Sequence, residues 1–154
     1  MQKNKTIGLV AHDARKRDLL NWVRFHAKRL SKHDMVCTGT TGKLISQMFN
    51  DDFPALKPRI RLLKSGPLGG DQQMGALISD GCVDVLIFFT DPMTTQPHDV
   101  DIKALMRICT VYDTIIACTK STADFVISSP LFEEAYEQAK HDYSSYLQRE
   151  TLKQ

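Results

Sequence analysis

Scarcity bounds this sequence before anything else does. Cysteine is thin on the ground: four in 154 residues, Cys37, Cys82, Cys109 and Cys118. None forms a Cys-x-x-Cys pair, and three lie within apolar runs. They read as buried thiols of a reducing compartment, which excludes a disulfide frame or a cysteine zinc site. An excess of one charge is also lacking. The 20 Lys and Arg against 18 Asp and Glu leave a formal +2, too little to imply nucleic acid or an anionic membrane as partner. No apolar run approaches the length of a membrane span. Met1 to Lys5 leads only into the short run Ile7 to Ala11, which is no signal peptide. No Gly-Lys-Ser/Thr pattern is present, so there is no Walker A loop. Repeats, low-complexity tracts and linkers are missing too, and the length suits a single domain over 1–154. At 42% hydrophobic and 25% charged, what remains is an ordinary soluble globular composition.

Short apolar runs alternate with amphipathic stretches. Lys5 to Ala11 reads as a first strand, followed by a helix from Arg15 to Leu30 with Asp13 as its cap. Met35 to Thr38 is a second strand. Gly39-Thr40-Thr41-Gly42 ends it, Lys43 to Phe49 is helical, and Asn50 to Arg59 is a loop. Ile60 to Lys64 is a third strand. Gln72 to Asp80 is a helix closed by Gly81. Val83 to Thr90 is nearly all apolar and reads as a strand buried on both faces. Asp99 to Tyr112 is helical, Thr114 to Cys118 is a fifth strand, and Thr122 to Ser128 is a short helix. Pro130 opens a last, more polar helical region to Lys153. Five strands alternating with helices predict an α/β fold: a doubly wound, five-stranded parallel sheet with helices on both faces.

Such sheets bind ligands beyond the carboxyl ends of their strands. His12-Asp13, Gly39 to Gly42, Ser65 to Asp71, Asp91-Pro92 and Thr119 to Thr122 each follow a strand, and His98 to Asp101 lies on the fourth such loop. The unusual residues therefore converge on one edge. The central stretch is Ser65-Gly66-Pro67-Leu68-Gly69-Gly70-Asp71-Gln72-Gln73, where three glycines and a proline force a tight backbone. Asp71 reads either as a helix N-cap or as a carboxylate held beside anion-binding N–H groups; the convergence favours the second. Gly39-Thr40-Thr41-Gly42 offers hydroxyls and N–H groups as a phosphate cradle, and Ser65-Gly66 adds another. Lys16 can meet a phosphate as a point charge, or stand solvated between Arg15 and Arg17. His98-Asp99-x-Asp101 can tune a histidine for proton transfer, or hold a metal with His12-Asp13. His26, His33 and His141 fall on polar faces and need no functional account. These residues point to a small phosphorylated ligand, a carboxylate base and a histidine partner, with no need of a cofactor.

From about Ile7 to Tyr146 the chain resembles the methylglyoxal synthase family. The resemblance is carried by Leu9-Val10-Ala11-His12-Asp13 with Lys16, Thr38-Gly39-Thr40-Thr41-Gly42 and Ser65 to Gln73. It continues through Asp84 to Phe89, Asp91-Pro92, Pro97-His98-Asp99, Asp101 and Thr122-Ala123-Asp124-Phe125. It implies a cytoplasmic lyase that converts dihydroxyacetone phosphate to methylglyoxal and inorganic phosphate, without metal or cofactor, as a homohexamer. It implies Asp71 as the base, with His98 and Asp101 assisting around the substrate oxygens. It implies Lys16, Thr38, Gly39, Thr40, Thr41, Ser65 and Gly66 as phosphate holders, His12 in the wall, and phosphate as both product and inhibitor. Three features depart from the family pattern: a longer loop over Asn50 to Arg59, Thr119-Lys120-Ser121 before Thr-Ala-Asp, and Glu150 where some members place an arginine, with Arg149 beside it. Two other readings stay open: an effector-binding module of the kind found in carbamoyl phosphate synthetase, and a metal-dependent phosphatase.

Overall fold

The computed structural model describes residues 1–95, 97–138 and 142–144. Five strands, β1 (Thr6–Ala11), β2 (Asp34–Cys37), β3 (Arg59–Leu62), β4 (Val85–Phe89) and β5 (Ile115–Ala117), form one sheet in the order β3-β2-β1-β4-β5. Every pairing is parallel, with Ile7 opposite both Met35 and Val85. The order reverses direction between β1 and β4, which makes that junction the topological switch point. Among the described residues, six α-helices cover the faces: α1 (Lys16–Phe25), α2 (Ala27–Leu30), α3 (Gly39–Asp52), α4 (Gly70–Ser79), α5 (Asp99–Val111) and α6 (Lys120–Ser128).

Side chains alternate across a strand, so a doubly covered strand feeds two cores. Ile7, Leu9 and Ala11 of β1 join Val85, Ile87 and Phe89 of β4 against α1, α3 and α6. Val10, Leu86 and Phe88 point the other way, against Met74 and Ile78 of α4 and Ile102 and Leu105 of α5. All five residues of β4 are buried. Removing a ring such as Phe89 from this sandwich would cost about 3–5 kcal/mol.

Several expected boundaries move, each for a visible reason. The helix expected over Arg15 to Leu30 is a 3-10 turn (Asp13–Arg15) followed by α1 and α2, broken at His26. There the His26 ring turns between Trp22 and Phe25, towards Asp124. Asp13 is not a cap, since it opens the 3-10 turn and no side-chain cap bond forms. Helix α3 begins at Gly39 and runs on through Asp52, taking the start of the expected loop. Pro130 opens only a 3-10 turn to Glu133, and residues 135–138 are not helical. That segment is claimed instead by the other end of the chain: the Tyr136 N–H donates to Met1 O, and Lys5 Nζ donates to Glu134 O. Residues 139–141 and 145–153 of the expected last helix, His141, Arg149 and Glu150 among them, lie outside the described residues.

Two burial expectations also change. Cys82 is exposed, because it stands in the loop before β4; Cys37 and Cys109 are buried and Cys118 half-buried. Burial raises the thiol pKa of Cys37 to about 12 and that of Cys109 to about 11, which keeps both inert. His33 is buried rather than on a polar face, its Nδ1 accepting the Lys5 N–H at 3.1 Å.

Candidate active site

Beyond the carboxyl ends of β1, β2, β3 and β4 lies a cavity of about 490 Å³. Its wall contains His12, Lys16, Thr38, Thr40, Thr41, Ser65, Gly66, Asp71 and His98 from the expected set. Two expected residues stand outside it. Gly39 is one layer back: a side chain there would lie 2.8 Å from Ser65 N, and its own N–H donates to Lys64 O at 3.0 Å. Its bareness lets the two loops touch. Asp101 lines a separate recess of about 320 Å³ between α4 and α5, whose wall also includes Asp71. His98 precedes α5 with non-helical angles, φ −115° and ψ 29°, so the three-residue spacing to Asp101 does not place both on one helical face.

The glycine stretch builds the floor. Gly69 adopts φ 97°, a left-handed turn that suits glycine. A Cβ on Gly70 would lie 2.2 Å from Lys64 O, so no side chain fits. Gln73 Oε1 accepts the Lys64 N–H at 2.8 Å and clamps the loop. Asp71 therefore sits second in α4, past the capping position that Gly69 occupies. The N-cap alternative gives way to a different bond: Asp71 Oδ2 lies 2.7 Å from His98 Nδ1, with the Asp71 side chain only 2% exposed. A Cβ on Gly66 would stand 3.0 Å from both Asp71 Oδ2 and His98 Cε1, so this pair rests directly on the bare backbone of Gly66.

The histidines are sorted by their bonds. An ionised Asp71 only accepts, so His98 Nδ1–H donates to it, and a neutral His98 then carries an acceptor at Nε2. His12 has the opposite polarity. Its Nδ1 accepts the Asp91 N–H at 2.8 Å, which puts the ring proton on Nε2. That Nε2 is buried and has no partner among the described residues. The His12 and His98 rings lie edge to face, 6.4 Å apart. The cavity thus holds a free N–H donor and a carboxylate–imidazole pair side by side.

The cradle is built from two loop ends. Thr38 and Ser65 precede α3 and a 3-10 turn (Gly66–Leu68) without capping them by side chain. Both hydroxyls remain for a ligand. The N–H groups of Thr40 and Thr41, early in α3, have no helical carbonyl to reach, the arrangement by which a helix N-terminus can take an anion. Lys16 Nζ stands at the rim, hydrogen-bonded to Asp13 Oδ1. Its ammonium holds the Asp13 carboxyl below the usual range, first by that bond and then by charge. Among the described residues no three His, Cys, Asp or Glu side chains gather as a metal-ligand group, and no helix is long and apolar enough to cross a membrane.

Sequence reasoning missed the backbone donor of Asp91 and the apolar wall of Val10, Pro67, Phe88 and Pro97. The Asp91-Pro92 pair was a signal for the first. Asp124 is a structural tie from α6, accepting from Trp22 Nε1 at 2.8 Å and Lys120 Nζ at 2.7 Å. Lys120 is the chief reason its carboxyl titrates low.

Residues 18–119 match the model of the MGS-like domain. The methylglyoxal synthase of Maridesulfovibrio salexigens is 50% identical over 97% of this chain and 99% of its own length. This chain belongs to the methylglyoxal synthase family. The methylglyoxal synthase of Leptospira interrogans is 49% identical over 95% of this chain and 94% of its own. The crystal structure of methylglyoxal synthase from Elizabethkingia anophelis NUHP1 superposes with a TM-score of 0.89 at 47% identity, covering 100% of this chain and 97% of that one. The α/β fold with an all-parallel five-stranded sheet is thus the fold of a solved family member, along nearly the whole chain.

Proposed function

We propose that this chain is a methylglyoxal synthase, a lyase that converts dihydroxyacetone phosphate to methylglyoxal and inorganic phosphate. The observation that carries the reading is the buried Asp71 carboxylate, 2.7 Å from His98 Nδ1, facing the same cavity as the phosphate cradle. Asp71 takes the proton from the hydroxyl-bearing carbon beside the carbonyl. The C–H electrons form an enediolate, whose charge needs donors already in place. His12 Nε2–H is such a donor, and as a neutral imidazole it suits an enediolate oxygen. His98 Nε2 accepts the proton of the neighbouring hydroxyl. His98 serves as acceptor there because its Nδ1 proton is committed to Asp71.

The bond from carbon to the phosphate oxygen then breaks, and its electron pair leaves with phosphate. The remaining enolate takes back on carbon one of the two protons held by Asp71 and His98 and becomes methylglyoxal, and the departing phosphate takes the other. Thr38, Thr40, Thr41, Ser65, Gly66 and Lys16 hold the phosphate, and Gly39 holds the cradle together. Asp101 acts from the recess behind Asp71, as a positioning residue for the base. These groups supply base, donor and cation without a metal or cofactor. The protein works as a single domain over 1–154, in the cytoplasm, as a homohexamer, with phosphate as product and inhibitor.

Incubation with dihydroxyacetone phosphate tests the reaction. Equal amounts of methylglyoxal and phosphate are expected, unchanged by EDTA. Phosphate without methylglyoxal would mean a phosphatase, and binding without turnover an effector module. Sedimentation tests the assembly, where a monomer at micromolar concentration would count against the hexamer.

A further inference from the structure

Lys16 is the lysine or arginine of the described cavity wall, yet its ammonium is not free. It is bonded to Asp13 Oδ1, and the two side chains differ sharply in surroundings: Lys16 is 21% exposed and Asp13 92%. The lysine stem is laid along the cavity rim while the carboxylate stands in water. Asp13 itself lines the mouth of the cavity, next to His12. A phosphate entering the cradle must share or take this ammonium. It must also approach a second negative charge at the mouth, beyond that of Asp71 inside.

We propose that Asp13 is a positioning residue that competes with phosphate for Lys16 and so weakens the hold of the cradle on phosphate. This rests on the lyase reading only in taking phosphate as the group held. The physical logic is that of a weak, exposed ion pair. Such a pair is cheaply broken, so it does not block entry. It still offers Lys16 a partner at the moment phosphate departs. A site that eliminates phosphate must release it on every turnover, and a cradle with an uncontested cation would retain it. The Asp13 carboxyl is held in its charged form by Lys16, so the competitor is present throughout the neutral range.

The test is calorimetric titration of inorganic phosphate into the intact chain and into Asp13→Asn, Asp13→Glu, Lys16→Met and the Asp13→Asn/Lys16→Met double variant. Asp13→Asn should bind phosphate about twofold to fivefold more tightly, the range an exposed ion pair spans. Asp13→Glu should restore the weaker affinity. The double variant should bind no better than Lys16→Met, because the effect acts through the ammonium. The Michaelis constant for dihydroxyacetone phosphate should fall with the phosphate constant. Unchanged or weaker phosphate binding by Asp13→Asn would overturn the inference and make Asp13 a prop for Lys16. Absence of phosphate binding by the unaltered chain would overturn the cradle reading itself, and the inference with it.

Discussion

Two buried histidines, at opposite ends of the sheet, are wired alike and used differently. His12 follows β1, and its Nδ1 accepts the Asp91 N–H. His33 precedes β2, and its Nδ1 accepts the Lys5 N–H. Each therefore carries its proton on Nε2, and each Nε2 is buried with no partner among the described residues. What differs is the space beyond. His12 opens on the cavity that holds Asp71 and His98. His33 packs against Phe132 in a T-shaped arrangement, with ring centroids 5.1 Å apart. A locked tautomer is thus not by itself a catalytic device. At one end it leaves an unpartnered donor beside a cavity; at the other it ties the start of the chain to the sheet.

The comparison can be broken most forcefully at the partner that only His12 has nearby. Asp71→Asn keeps the shape and an acceptor for His98 Nδ1–H but removes the base. Turnover should fall by roughly 10²–10⁴, the range of positioned proton transfer. The fold should survive, because Asp71 caps no helix, and phosphate affinity should hold or improve. A folded Asp71→Asn protein with full activity would end the assignment.

The next largest effect is expected at His12. His12→Phe keeps the ring and loses the Nε2–H donor, and kcat should drop by roughly 10²–10³, as when one preorganised donor is removed. At the other end, His33→Phe should leave activity per folded molecule unchanged. It strands the Lys5 N–H, so denaturation should show a loss of about 1–3 kcal/mol. Equal catalytic damage from both variants would erase the distinction.

The smallest effect is a slope. Burial, ahead of all other causes, holds the His33 pKa below its ordinary value, and the same cause acts on His26. The unfolded chain therefore takes up these protons first as pH falls. This contribution to stability is complete above the ordinary imidazole range, near pH 6.5. It declines as pH drops towards the folded-state values and levels off below them. Denaturation midpoints measured on either side of that range should show the decline, and His33→Phe should remove its share of it.

The sheet and the site edge were legible because strands as apolar as β4, and glycine turns at strand ends, leave a plain mark in sequence. Asp71, His98 and the threonines were legible as side chains with chemistry, placed by one rule about strand ends. The Asp91 N–H was not, since every residue has one and only the fold aims it. Nor was the place of Asp101, because spacing rules assume a helix that has already begun at His98. The break at His26 escaped for a related reason: the periodicity of α1 and α2 is continuous, and the bend answers a tertiary partner, Asp124. The reach of Tyr136 back to Met1 joins residues that no local pattern connects.

The flanks of the sheet bear on how copies of this chain can meet. One outer strand, β3, is largely exposed and carries Arg59 and Arg61, with Arg59 paired to Asp34. The other, β5, has only three residues. Charged or very short borders discourage a neighbouring strand from adding itself to the ladder. Copies packed closely together are therefore steered away from fibrils and runaway sheet growth. Contacts between copies are directed away from the sheet edges, and replacing Arg59 and Arg61 with valine would be a direct way to make the protein precipitate.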